Sequence, residues 1–447
     1  MKNKKILLSS ILIMSFFSVP SILAFCGFFV ARADASLYNS ASRVVLVRDE
    51  DRTVVSMMND YKGELKDFAL VVPVPVVLQK KQINVGDSKV FDHLDAFTAP
   101  RLVEYYDSNP CRRRYKNGLS RKKAKMKMDD SKDNRKGGGS LGVKVEASYT
   151  VGEYDIKILS AKYSNGLETW LSTNGYKIPK GASKALQPYI RQQMKFFVAK
   201  VNLKEQLKTG LQFLRPLQFA YESEKFMLPI RLGMINAKGE QELLVYVLTK
   251  TGRVETTNYR TVKLPSDTEV PEFVKSEFKD FYRDMFSRQV KKENYRVVFT
   301  EYFWDMGWCD PCAANPLSPQ ELKSLGVFWL DEENTNRNRF GGSSNVKVTR
   351  LHLRYNQETF PEDLMFQQTS DTANFQGRYI IRHPWTGNSN SCSAAERYFT
   401  QLEKRQEERA QNLANLTGWS IQEIRKKMNL GSMKTSPKRK WYERIWE

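Results

Sequence analysis

SRVVLVRDEDRTVVSMMN, residues 42–59, holds two β-rich runs around a charged turn. Val44, Val45, Val47, Thr53, Val54 and Val55 are β-branched and suit a pleated strand better than a helix. Between them Arg48-Asp-Glu-Asp-Arg52 carries no apolar side chain and cannot continue a buried strand. Ser42–Val47 and Thr53–Asn59 therefore read as an antiparallel hairpin with an acidic turn.

The pattern continues downstream in short elements. Phe68–Pro75 (FALVVPVP) is extended, and its two prolines place it at a sheet edge or strand end. Val90, Leu94 and Phe97 recur at helical spacing, so Lys89–Thr98 is a short helix ended by Pro100. Val143–Thr150 alternates, with Tyr154–Ala161 as its hairpin partner. Leu167–Thr173 and Lys184–Gln193 are helical. Met194–Leu203, Gln212–Tyr221, Met227–Ile235, Glu242–Thr249 and Tyr259–Leu264 are strands.

Pro271–Lys291 is the clearest helix, with Val274, Phe278, Phe281 and Met285 on one stripe. Tyr295–Trp304, Val346–Tyr355, Leu364–Gln368 and Tyr379–Arg382 are further strands. Ser393–Met428 is helical, and its run EKRQEERAQ reads as a solvated face. The mixture predicts an α+β fold, mostly antiparallel sheet with flanking helices and a helical C-terminus.

Upstream, Lys2, Lys4 and Lys5 precede an apolar run from Ile6 to Val19, then Pro20 and small Ala24. This is the pattern of a secretory signal covering residues 1–24, so the chain is expected to be exported. Left uncleaved, residues 6–31 are long enough to anchor it in a membrane. Phe25 is too bulky to precede a lipidated Cys26. The expected organisation is a leader (1–24), an N-terminal β-rich part (25–111), a basic Gly-rich linker (112–140), a main α+β part (141–392) and a helical tail (393–447).

The 447 residues include 71 Lys+Arg against 50 Asp+Glu, a net charge of +21, with 41% hydrophobic and 27% charged residues. That balance excludes collagen-like, mucin-like and wholly disordered chains. The excess charge is local. Arg112–Lys136 alone holds twelve Lys/Arg and three Asp, followed by Gly137-Gly-Gly-Ser140. With almost no apolar residues it is expected to be a disordered loop. Arg112, Arg113, Arg114, Lys122, Lys123 and Lys125 are its candidate anion-binding residues, suited to an anionic polymer or membrane surface. Tyr115 is its one aromatic, so base stacking and specific nucleic-acid binding are not expected.

Trp308-Cys309-Asp310-Pro311-Cys312 is the sharpest chemical motif. A CxxC after a strand can lower the first thiol's pKa if a helix starts there, making Cys309 the attacking and Cys312 the resolving thiol. Pro361, after Thr359-Phe360, is the candidate for the proline such redox sites place beside the cysteines. Pro316 and Pro319 oppose this reading, because they break the helix it needs. The bland reading, a closed structural bridge, is preferred. Zinc would need a second ligand pair that the chain lacks, and the three histidines (His93, His352, His383) are far apart, so no metal is expected. Gly138-Gly-Ser-Leu-Gly142 matches GxSxG only inside the glycine linker. No nucleotide fingerprint occurs and no cofactor is implied.

Several runs together resemble one bacterial family. FCGFFVARAD (25–34), SRVVLVRDEDRTVVSMMNDYKG (42–63), FALVVPVPVVL (68–78), FDHLDAFTAPRLVEYYDSNPC (91–111), WCDPCAANPLSP (308–319), TFPEDLMFQ (359–367) and RYIIRHPW (378–385) are similar to the domain of unknown function 2330. The resemblance spans nearly the whole mature chain. It implies an exported bacterial protein and carries no activity with it. The expectation is a disulfide-stabilised, non-enzymatic binding or structural protein with bridges Cys309–Cys312 and Cys111–Cys392. The alternatives are thiol–disulfide exchange at the CxxC and adhesion to anionic surfaces through residues 112–136.

Overall fold

The computed structural model describes residues 28–31, 38–62, 68–112, 143–174, 182–209, 214–236, 239–308, 310, 315–330 and 345–430. Residues 1–27, most of the basic segment and residues 431–447 fall outside this set.

The 42–59 hairpin forms and extends beyond its marked ends. β2 (Tyr38–Asp49) pairs antiparallel with β3 (Arg52–Lys62) around Glu50, which has φ of 54°. It lies inside a nine-stranded sheet. The strand order is β14 (Arg260–Lys263), β16 (Val297–Asp305), β17 (Lys347–Tyr355), β12 (Gln241–Thr249), β2, β3, β10 (Leu217–Glu222) and β5 (Ile83–Val85). β19 (Phe375–Gln376) adds to β16. Pairing is antiparallel except at β12/β2 and β14/β16.

A second sheet is antiparallel throughout, in the order β1 (Phe28–Ala31), β4 (Phe68–Val74), β9 (Lys195–Val201), β8 (Tyr154–Ala161) and β7 (Val143–Val151). Strands from both sides of the basic segment therefore share one sheet. Pro73 of β4 sits beyond the last β1 pair, Phe28↔Val71, where the strand is locally an edge and its missing N–H breaks no ladder.

The two sheets pack face to face. Val44 and Leu46 of β2 meet Leu70 and Val72 of β4 and Phe197 of β9. Val45 and Val47 point the other way, onto α1 (Ser88–Thr98) and the segment with α6 (Pro319–Ser324). A strand covered on both faces needs apolar residues at every position, and Val44–Val47 supplies them. Outside the smaller sheet lie α2 (Ser164–Thr173) and α3 (Ala182–Arg191), packed through Leu167, Leu171, Leu186 and Tyr189. The fold is thus an α+β sandwich whose sheets are open, with helices on both outer faces.

Smaller pieces complete it. α4 (Leu203–Thr209) follows β9. β11 (Met227–Leu228), β18 (Leu364–Gln368) and β13 (Val254–Thr256) form a three-stranded sheet. β15 (Thr268–Glu269), β20 (Arg378–His383) and β6 (Arg101–Tyr106) form a parallel one. α5 (Phe278–Lys292) and α7 (Ser393–Thr417) cover β14, β16 and β20 through Phe281, Met285, Tyr379, Ala410 and Leu413.

Several details differ from the sequence expectation. The strand expected over Met227–Ile235 is only β11 (Met227–Leu228), followed by a 3-10 turn over Gly233–Asn236. The helix expected from Pro271 begins at Phe278, after a 3-10 turn over Glu272–Lys275. Ser276 Oγ donates to the Phe273 carbonyl and diverts the backbone from α geometry. The C-terminal helix stops at Gly418, which takes φ of 81° and donates its N–H to the Ala414 carbonyl, before α8 (Ile421–Lys427). The charged run of α7 is not simply solvated. Arg409 is buried against Glu269, and Arg405 pairs with Asp107, so the run docks the helix by charge.

Candidate functional site

Two buried polar sites stand out, on opposite faces of the large sheet. The first grows from a β-bulge. Between Thr300 and Tyr302 the β16/β17 register shifts by one residue, and Glu301 is the extra one. A bulge re-aims a side chain, and Glu301 is fully buried against β17. Arg350 Nε donates to Glu301 Oε2 at 2.6 Å, His352 Nδ1 lies 2.6 Å from Oε1, and the Tyr282 hydroxyl donates to the same oxygen.

The contacts run on in both directions. Arg350 Nη1 donates to Asp95 Oδ1 at 2.6 Å, and Tyr246 donates its hydroxyl to that oxygen, also at 2.6 Å. His352 Nε2 faces Glu242 at 3.8 Å, and Glu242 is held in turn by Arg354. Phe286 of α5 stacks on the imidazole at 3.7 Å, nearly parallel. Asp95, Arg350, Glu301, His352, Glu242 and Arg354 form a line of alternating charge linking α1, the sheet and α5.

Burial works to raise the pKa of Glu301, yet His352 and Arg350 together hold it down to about 2. Glu242 is likewise held to about 2 against its burial, by His352 and Arg354. Burial opposes the imidazolium of His352, but the two carboxylates keep its pKa above the usual value. Each charge faces an opposite one at close range, and Glu301 has no exposed surface on which a substrate could lie. Chemically this is a clasp between helices and sheet rather than an open acid–base pair.

The second site is a cavity of about 260 Å³ at one end of the sandwich. β4 runs out there at Pro73-Val74-Pro75, α3 turns into β9 through Gln192 and Met194, and β10 leaves the sheet through Tyr221, Ser223 and Lys225. Met227 and Pro229 close the remaining side. Arg48 fixes this rim. Its Nη1 donates to the Ser223 carbonyl at 2.9 Å and to Thr53 Oγ1 at 2.6 Å, and its guanidinium lies 5.2 Å from the Phe226 ring. Lys225 Nζ donates to Gln192 Oε1 at 2.8 Å. Tyr221 is 7% exposed and lines the cavity, and its hydroxyl has no hydrogen-bond partner among the described residues. Burial pushes its pKa up to about 12, so it stays a donor.

Cys111 and Cys392 are joined by a disulfide, spanning 281 residues and tying the end of β6 to the start of α7. Arg112 is exposed beside it. Cys309, Cys312, Arg113, Arg114, Lys122, Lys123 and Lys125 lie outside the described residues, as does Cys26. Asp310, between Cys309 and Cys312 in sequence, is buried. It accepts from the Tyr302 hydroxyl at 2.9 Å and from Gln376 Nε2.

The first described helix after Asp310 is α6, starting at Pro319 behind a Ser318–Glu321 capping box. His93 clasps that segment, with Nδ1 at 2.7 Å from Glu321 Oε1 and Nε2 at 2.9 Å from the Asn315 carbonyl. Pro361 is exposed in the loop after β17. Its neighbour Thr359 lies by Val297, at the start of β16, whereas Asp310 is bound by Tyr302 near the end of that strand. At ~3.3 Å per residue, about 17 Å of strand separates those two points. His383 ends β20 with Nε2 at 2.8 Å from Glu104 Oε2, and Trp385 just beyond packs against Tyr398 and Phe399. Among the described residues no group of three or more His, Cys, Asp or Glu could hold a metal ion, and no helix is long and apolar enough to cross a membrane.

Sequence reasoning passed over both sites. A signal for the first was present: Arg350, His352 and Arg354 alternate with Leu351, Leu353 and Tyr355 along β17, and period two puts all three on one face. The cavity draws on three separate segments (73–75, 192–194 and 221–229) and has no linear signature.

No curated protein and no solved structure matches the chain. The family described as uncharacterized protein conserved in bacteria (DUF2330) matches residues 20–367, ending in β18, and the chain belongs to that family.

Proposed function

We propose that this is an exported, disulfide-braced binding protein without catalytic activity, which holds a small ligand at the open end of its sandwich. The observation that carries the reading is Tyr221: a hydrogen-bond donor on a largely buried residue, facing a preformed cavity and lacking a partner. Binding sites of this kind combine apolar walls with a few convergent polar groups. The buried acids and bases, by contrast, are committed to one another around Glu301. Export is supported by the N-terminal leader pattern and fits the Cys111–Cys392 bridge, since disulfides persist in oxidising compartments.

Thiol–disulfide exchange at Cys309 and Cys312 has less support, because the first described helix after Asp310 begins nine residues later, at Pro319. A thermal-shift screen of small organic compounds tests the binding reading, run on the purified oxidised protein and on Ser223→Trp, whose indole fills the cavity mouth. Compounds that raise the melting temperature of the wild type and not of the variant are the expected result. A panel whose hits act equally on both proteins would overturn it. For export, cell fractionation is expected to find the chain outside the cytoplasm with Cys111 and Cys392 resistant to alkylation.

A further inference from the structure

Resting on that binding reading, we infer that the cavity takes a small organic anion with a compact aromatic body, of the aryl carboxylate class. The walls supply the first half of the argument. Pro73, Pro75, Met194, Met227 and Pro229 present rigid rings and polarisable thioethers, with no charge among them. Thioether sulfur packs favourably against aromatic edges. A space of about 260 Å³ is large enough for a compact aromatic ring system.

The donors supply the second half. The chain leaving β10 brings Tyr221 and Lys225 into the same cavity wall. The Tyr221 hydroxyl has no acceptor among the described residues. The Lys225 ammonium has three N–H groups and spends one on the neutral Gln192 amide. No carboxylate of the described residues pairs with that lysine, although Glu224 stands beside it on the rim. Two donors, one of them the Lys225 ammonium, opposite apolar walls describe a ligand with an acceptor-rich, negatively charged end and an apolar end. Glu224 opposes such a ligand, and its charge gives the proposal a second sign to be tested.

The test is a fluorescence titration of the full oxidised chain with 2-naphthoate and, separately, with its neutral isostere 2-naphthamide, at low and physiological salt. The expected results are at least fivefold tighter binding of the carboxylate, less so at higher salt, and loss of that preference in Lys225→Gln. Tyr221→Phe, which keeps the ring, should weaken naphthoate about tenfold with an unchanged melting temperature, as for a lost hydrogen bond to a charged group. Glu224→Gln should tighten naphthoate about twofold or more. Equal binding of acid and amide, or naphthoate affinity unmoved by Tyr221→Phe, would overturn the ligand class and leave the binding reading standing. Failure of both probes, together with a screen that Ser223→Trp does not alter, would remove both.

Discussion

Glu301 and Tyr221 are buried polar residues on strands of the same sheet, yet Glu301 is ringed by Arg350, His352 and Tyr282 while the Tyr221 hydroxyl has no partner. The difference follows from what burial costs. A charge taken out of water is tolerated only when opposite charges and hydrogen bonds replace the solvent. A neutral hydroxyl costs far less, so it can stay unmatched where something arriving from outside can reach it. The two faces of the sheet therefore have different work: one is closed by charge, the other left open by a missing acceptor.

The largest effect should come from breaking the closed side. Replacing Glu301 with alanine removes the buried carboxylate shared by Arg350 and His352, leaving each with only its outer partner, Asp95 or Glu242, and equilibrium urea unfolding should register a loss of about 3–5 kcal/mol. Next is the covalent brace. Cys111→Ser removes a link across 281 residues, and a loss of about 2–5 kcal/mol is expected by the same measurement under oxidising conditions. If the cysteine variant unfolds at the wild-type midpoint, the bridge does not brace the fold in solution.

A smaller, diagnostic effect is pH dependence. His352 and His93 each set both ring nitrogens against oxygen acceptors, and both have pKa values raised above the usual histidine range despite burial. A raised folded-state pKa gives stability that is complete below the unfolded value of ~6.5 and is lost as pH rises through the folded value. Glu301 and Glu242, depressed to about 2, act oppositely: their contribution is complete above ~4.5 and lost on the way down to about 2. Stability should therefore peak between about pH 4.5 and 6.5 and decline toward pH 9. His352→Gln should flatten the alkaline side, and a profile that rises from pH 6 to 9 would contradict the clasp.

Much of the architecture was legible because it rests on local periodicity. The 42–59 hairpin, the 143–161 hairpin, α1 and β17 lie where alternation or helical spacing marks them. The parallel β12/β2 contact was not legible, since the partners, such as Leu243 and Ser42, lie far apart in sequence and no local signal encodes their register. β11, β15 and β19 are two residues long, too short to carry a period. Arg409 looked solvated because its partner Glu269 is 140 residues away. The sites were harder still. Glu301 sits inside an apolar run, and only the bulge turns it toward Arg350. Tyr221 reads as one more strand aromatic until the fold leaves its hydroxyl facing space.

The most direct test is equilibrium urea unfolding of Glu301→Gln and Tyr221→Phe beside the wild type, without ligand. The account predicts a midpoint well below wild type for Glu301→Gln and an unchanged or slightly raised one for Tyr221→Phe, because removing a hydroxyl that bonds no protein group leaves no partner unsatisfied. Equal destabilisation by the two substitutions would contradict it, since Tyr221 would then be a partnered member of the core and the cavity would lose its donor.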